Sequence, residues 1–231
     1  MNQVHESHQI NLFTTNEEIS PSPAIIFPVL QELSGFSLIP TFGQEVNALS
    51  GEMKQILIMT NPEQTYRIEF ASHAIVINAM STNHDEFVEK SVNVISAMLK
   101  IFPNKKFNRI ALLNAQIFTA SLDKYQQLYD KLFTYNEVSP FEWDNRIALR
   151  KNIEFNNEAI NSINTISRKE VAVMNHNSGK PFDAIMFEID SNTLPTNTDY
   201  RFDFNQAIQV LRNLNDNNRN SLSVLRRYIE L

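Results

Sequence analysis

Four glycines in 231 residues, Gly35, Gly43, Gly51 and Gly179, set the first limit on this chain. No two are closer than eight positions apart. A loop that cradles phosphate needs clustered glycines, because a backbone without Cβ atoms can turn several N–H groups inward against an anion. No cluster exists, which removes the P-loop NTPases, the dinucleotide-binding Rossmann enzymes and the kinases with a glycine-rich loop. Most turns must be made by Asn, of which there are 28, with Asp, Ser and Pro. Each of the four glycines is itself expected in a turn.

There is no cysteine, which excludes disulfides, thiolate metal sites and cysteine nucleophiles. Hydrophobic residues make up 42%, with sixteen Phe, enough to fill a core. No apolar run nears the roughly 18 residues that span a bilayer. The first 18 residues carry no Lys or Arg and no apolar stretch of the kind found in signal peptides. A cytoplasmic protein without membrane association or cofactor is expected. The first 53 residues contain six acids (Glu6, Glu17, Glu18, Glu32, Glu45 and Glu52) and no Lys or Arg, which matches the net charge of −6 for the whole chain. Such a balance does not suit generic DNA binding, where many cations must replace counterions on phosphate.

Residues 1–23 are polar and end in Ser20-Pro21-Ser22-Pro23, which reads as a mobile tail. A short helix is expected over 24–33. From Phe36 the pattern turns to strands, with candidates over 55–60, 65–71 and 74–80; in the second of these, Tyr66, Ile68 and Phe70 alternate with Arg67 and Glu69. Val88, Val92, Ile95, Met98, Leu99 and Phe102 recur at helical spacing after Thr82, Asn83 and Asp85, which offer cap oxygens, and Pro103 closes that helix. A strand over 107–119, a helix from Ser121 to Phe133, strands over 141–155, 160–174 and 182–190, and a long helix from Phe204 with Asp203 as its cap complete the order. The expected fold class is therefore α+β: two antiparallel meanders, each followed by a long helix, packed as one unit. A single domain is expected over 24–231, with halves at 24–135 and 136–231.

Four patterns could carry chemistry. His5-Glu6-Ser7-His8 brings two imidazoles and a carboxylate together, but in an expected tail and without the helical spacing of H-E-x-x-H, so a solvated terminus is the plainer account. Glu188 and Asp190, two apart on a strand, face the same way and could hold Mg²⁺, while Asp183 projects from the other face. His73, His84 and His176 stand near turns or caps without an evident triad partner, and G-x-S-x-G is absent. On the last helix, Phe204, Ile208, Leu211, Asn215, Asn218, Leu222, Leu225 and Ile229 form one continuous stripe with two Asn at its centre. A buried Asn costs stability unless hydrogen-bonded and can fix a register or a partner; the competing account is a helix that breaks or lies exposed there. Arg212, Arg219 and Arg226 repeat every seven residues along another flank and could dock an acidic segment or a phosphate backbone.

Arg109-Ile110-Ala111-Leu112-Leu113-Asn114 and Glu188-Ile189-Asp190, with the stretch from Tyr66 to Phe102, resemble a sporadically distributed bacterial family without an assigned function. In that family an R-I-G-L-R-Y-I-N strand follows a helix, and a D-I-D strand precedes a long terminal helix. Here Ala111, Leu113 and Glu188 replace the family's Gly, Arg and first Asp. The resemblance implies the fold and an accessory gene product, such as a defence protein, and no activity.

Together these patterns lead to a non-enzymatic interaction or regulatory protein that binds a protein partner, or itself, through the terminal helix (Arg212, Asn215, Asn218, Arg219 and Arg226). Two alternatives stand beside it: a metal-dependent phosphodiesterase or nuclease using Glu188 and Asp190, and a nucleic-acid sensor using the arginine stripe.

Overall fold

Period-two alternation builds most of the sheet, and it reaches further along the chain than its charged stretches suggest. The computed structural model describes residues 1–46, 48, 50–135 and 137–230. Those residues form nine strands and four α-helices, and every strand pair is antiparallel. Strands β1 (Asn2–Phe13), β2 (Ile39–Val46), β3 (Met53–Thr60), β4 (Tyr66–Ala71), β5 (Ala74–Met80), β6 (Arg109–Thr119), β7 (Trp143–Asn152), β8 (Ala159–Val171) and β9 (Phe182–Thr193) lie in the order β2-β3-β4-β5-β1-β6-β9-β8-β7. The α+β class holds. Instead of two separate meanders there is one continuous sheet, with β1 and β6 inserted at its middle.

The expected mobile tail is thus the central strand. β1 pairs with β5 from Ser7↔Met80 to Phe13↔Ala74, and with β6 from Asn2↔Thr119 to Phe13↔Arg109. His8, Ile10 and Leu12 are buried while Ser7, Gln9 and Asn11 stay half-buried, the alternation of a strand with two unlike faces. A histidine occupying an apolar slot, with no charged partner face, disguised that pattern. The segment after β1 is pinned as well: Asn16 Nδ2 donates to the carbonyls of Ala71 (2.6 Å) and Ala74 (3.0 Å), and buried Lys105 donates to Thr15 O at 2.8 Å and pairs with Glu18.

All four helices cover one face. Helix α1 (Pro23–Leu33) starts with Pro at its first turn and buries Val29 and Leu33. Helix α2 (His84–Ile101) is capped by Asn83, whose side chain accepts from Asp85 N. Helix α3 (Leu122–Leu132) buries Tyr125, Leu128 and Tyr129. Helix α4 (Phe204–Leu225) opens with a reciprocal box in which Gln206 N donates to Asp203 Oδ1 (2.9 Å) and Asp203 N to Gln206 Oε1 (3.0 Å). It then runs unbroken through Asp216-Asn217-Asn218.

One large apolar cluster joins α1, α2 and the first half of α4 to the sheet, through Ile10, Leu12, Phe87, Phe204 and Leu214 among others. A second joins α3 and the end of α4, through Phe118, Tyr125, Phe187 and Leu225. The buried residues of α4 (Phe204, Ala207, Val210, Leu211, Leu214, Asn218, Ser221 and Leu225) show that the stripe seen in the sequence is one flank of a wider buried face.

Gly43 also departs from expectation. It lies inside β2 rather than in a turn, opposite Ile56, and a Cβ there would stand 2.7 Å from Ile58 Cδ1 and 3.2 Å from Ile56 Cγ1. The missing side chain leaves space that two isoleucines fill. Gly51 and Gly179, with φ of 71° and 72°, do occupy the left-handed region.

Candidate functional site

The face opposite the helices is concave and bare. A cavity of about 1260 Å³ lies over it, lined by residues from all nine strands and by the loops at 62–65 and 173–175. Its floor is set by register. Ser7 of β1 pairs with Ala115 of β6, which pairs with Glu188 of β9; one rung on, Gln9 pairs with Leu113, which pairs with Asp190. Glu188 and Asp190 thus share one face, as their spacing predicts, and that face is the groove. Asp183 projects to the other side, where Arg168 holds it with a two-pronged contact (Nη2 to Oδ2 2.7 Å, Nε to Oδ1 3.2 Å).

Asp190 is held from below by a directed pair of amides. Asn161 Nδ2 donates to Asn192 Oδ1 (3.3 Å), and Asn192 Nδ2 donates to Asp190 Oδ1 (2.9 Å). Burial pushes the Asp190 carboxyl above its ordinary range, and the Asn192 donor and the more remote Arg109 and Arg146 only partly oppose it. Glu188 has Lys169 Nζ 3.9 Å away. Among the described residues no three His, Asp or Glu side chains converge as a metal site, so two carboxylates would have to hold an ion alone. Among the lining residues the carboxylates Glu63, Glu69, Glu188 and Asp190 outnumber the arginines Arg67 and Arg146.

A second polar feature lies on the helix side, between the two apolar clusters. Asn218, which is 1% exposed, donates from Nδ2 to Leu112 O (3.1 Å) and Asn114 Oδ1 (2.6 Å), and accepts from Ser191 Oγ. Asn114 Nδ2 faces His8 Nδ1 (2.7 Å) and His84 Nδ1 (2.6 Å). Asn217 Nδ2 donates to Ser162 Oγ (2.8 Å) and Ser191 Oγ (2.7 Å). His8 stacks on Phe87 and its Nε2 lies 2.8 Å from Thr82 O. Asn215 is half-buried, its Oδ1 and His84 Nε2 both enclosed and without a well-aligned partner, although its amide lies near enough to favour a proton on that ring.

The residues proposed from sequence for partner binding therefore divide. Asn218 is sealed inside, its polar atoms taken up by Leu112, Asn114 and Ser191, which corrects its assignment to partner binding; Asn215 is half-buried, with an enclosed Oδ1 that has no well-aligned partner. Arg212 and Arg219 are exposed on α4 and Arg226 is exposed just past its end, and Arg219 Nε stands 3.5 Å from Asp85 Oδ1. His5 and His8, grouped with Glu6 in the sequence, separate, with His8 going into the core and His5 to the groove. Sequence inspection missed His84, Asn114 and Ser191 as a group, because residues 8, 84, 114, 191 and 218 meet only through strand pairing and the packing of α2 and α4 on the sheet. The one local hint was the buried-stripe position of Asn218.

No helix among the described residues is long and apolar enough to cross a membrane. No protein-family model matches the chain, and no curated protein matches it.

Proposed function

We propose that the protein works by binding, and that its partner is an extended polypeptide segment seated in the helix-free groove of the sheet. The observation that carries this is the size and openness of that groove. At about 1260 Å³ it exceeds the roughly 300–1,000 Å³ typical of small-molecule pockets, which favours a chain segment over a metabolite. The lining mixes apolar positions (Leu113, Ala115, Ile163, Met80) with amide and hydroxyl groups (Gln9, Asn78), the combination that accommodates a peptide backbone with mixed side chains. Its acids outnumber its arginines, which disfavours a polyanion such as nucleic acid there. A role for α4 as the binding element would rest mainly on Arg212, Arg219 and Arg226, since Asn218 serves the interior and Asn215 is half-buried.

Peptide display against the immobilised full chain tests this. Ala115→Trp fills the groove floor between Ser7 and Glu188, and Arg212→Glu/Arg219→Glu/Arg226→Glu reverses the helix stripe. Selected peptides should lose binding to the first variant and keep it with the second. The opposite pattern overturns the groove in favour of the helix, and failure to select any peptide above background overturns both.

A further inference from the structure

The buried belt under α4 fixes its own hydrogen-bond directions from both ends. At one end stands the Leu112 carbonyl, which can only accept, so the Asn218 atom 3.1 Å from it is the amide nitrogen. The second N–H of that amide goes to Asn114 Oδ1, which turns Asn114 Nδ2 toward His8 Nδ1 and His84 Nδ1. At the other end the Thr82 carbonyl, also an acceptor, lies 2.8 Å from His8 Nε2, which therefore carries the ring proton. The two ends agree. His8 is thereby neutral, accepting at Nδ1 and carrying its proton at Nε2; His84, whose enclosed Nε2 has no well-aligned partner, is set to the same form by the Asn114 amide alone.

An arriving proton can enter either ring only at Nδ1, where it meets an N–H of Asn114 head-on. Turning the Asn114 amide over would satisfy the imidazolium but set its nitrogen against Asn218 Nδ2, now 2.6 Å from Asn114 Oδ1. Turning Asn218 over in response would set its oxygen against the Leu112 carbonyl, which is fixed in β6 and cannot turn. Each rotation moves the conflict one residue along, until relief requires the middle of α4 to leave the sheet.

We propose that this belt is a proton-operated latch: protonation of His8 or His84 frees the Asn215–Asn218 stretch of α4 from β6 and β9. The charged surroundings are mixed. From β1, Glu6 Oε1 lies 3.6 Å from His8 Nε2, and His5 is near; α2 contributes Asp85, and α4 contributes Arg219, which pairs with Asp85. On β6, Gln116 donates to Glu6 at 3.0 Å, and β9 presents the uncharged Ile189 and Ser191. Burial is the largest influence and holds both rings below the ordinary 6.5; Glu6 favours the proton on each ring, Asp85 favours it on His84, and a charge on His8 disfavours one on His84. The released and unfolded forms bind protons near that ordinary value, whereas the latched form resists them. The latch is therefore at full strength above it and weakens as pH falls below it. Each ring changes the opening equilibrium by up to about tenfold per pH unit, and two rings by up to about a hundredfold.

Hydrogen–deuterium exchange of the full chain, corrected for intrinsic rates, tests the latch between about pH 7.5 and 5.5. Protection of amides over 211–222 should fall by about ten- to a hundredfold per unit below the histidine range. Amides of β6 and β9 should hold over the same interval. His8→Gln and His84→Gln should each flatten the dependence. ¹⁵N NMR of the wild-type imidazoles at about pH 7.5 decides the matter even where a variant fails to fold, since both rings must show a bare Nδ1. An Nδ1–H ring, an imidazolium at that pH, or α4 protection that stays flat on acidification overturns the latch.

Discussion

Replacing Asn218 with Leu separates the two roles this residue could have. On an outward docking face the substitution would leave stability alone and change association. In the observed site it removes the donor to Leu112 O, the donor to Asn114 Oδ1 and the acceptor for Ser191 Oγ, all enclosed. Stranding a buried polar group costs about 1–3 kcal/mol, so three such groups set a gross loss of roughly 3–9 kcal/mol. Burying the leucine side chain returns about 1.5–3 kcal/mol, and Ser191, which still receives Asn217 Nδ2, can turn its hydroxyl elsewhere. From the middle of these ranges, about 6 kcal/mol lost and about 2 returned, less what Ser191 recovers, a net destabilisation of about 2–5 kcal/mol is expected, large beside a typical total of about 5–15 kcal/mol. Urea unfolding followed by circular dichroism reads it as a lower midpoint at unchanged slope. A variant within about 0.5 kcal/mol of wild type, or more stable than it, would refute the hydrogen-bond assignment. A changed mass by light scattering with unchanged stability would return Asn218 to the surface.

Gly43→Val forces a side chain onto Ile56 and Ile58 and should cost about 1–3 kcal/mol despite valine's strand preference, whereas Gln44→Val, on the exposed neighbour, should be close to neutral in the same denaturation assay. Arg168→Met strands the Pro140 carbonyl and one side of Asp183; because Asp183 is 39% exposed and can be rehydrated, the expected cost is about 1–3 kcal/mol, and Asp183→Asn should cost less. Asp190→Asn removes a carboxylate that burial disfavours, so the melting temperature near neutral pH should stay level or rise. Calorimetry with Mg²⁺ or Mn²⁺ should show no heat that distinguishes Asp190→Asn from wild type, and a binding isotherm lost in the variant would restore the metal-dependent alternative.

Much of the fold was legible because its signals are local. Tyr66, Ile68 and Phe70 alternate, Val88 to Phe102 step at helical spacing, and Asp203 precedes Gln206 at the distance a capping box requires; each pattern lies within a few residues and each gave an element in place. β1 escaped because its inward positions are His8, Ile10 and Leu12, and composition alone cannot say that a histidine will find partners at residues 82, 84 and 114. β2 was legible only as a change to strand pattern from Phe36, without bounds, because Pro40 and Gly43 weaken the strand signal, and what supports it is the space that Gly43 leaves for isoleucines of the next strand.

The candidate site divides along the same line. That Glu188 and Asp190 face one way follows from the two-residue period of a strand, and that no glycine-rich phosphate loop exists follows from the count of four. The sequence by itself determined the type of most elements, the α+β class and the excluded nucleotide chemistries, because these depend on spacings shorter than one strand or helix. Tertiary structure alone decided that the first strand is the centre of the sheet, that the shared face of Glu188 and Asp190 is the floor of a groove, and that the Asn pair of α4 looks inward. Those outcomes depend on strand order, register and helix packing between residues from 73 positions apart (Ser7 and Met80) to 106 (His8 and Asn114). No local pattern carries them, since a one-step change of register would turn each of the strand side chains, His8, Glu188 and Asp190 among them, to the opposite face.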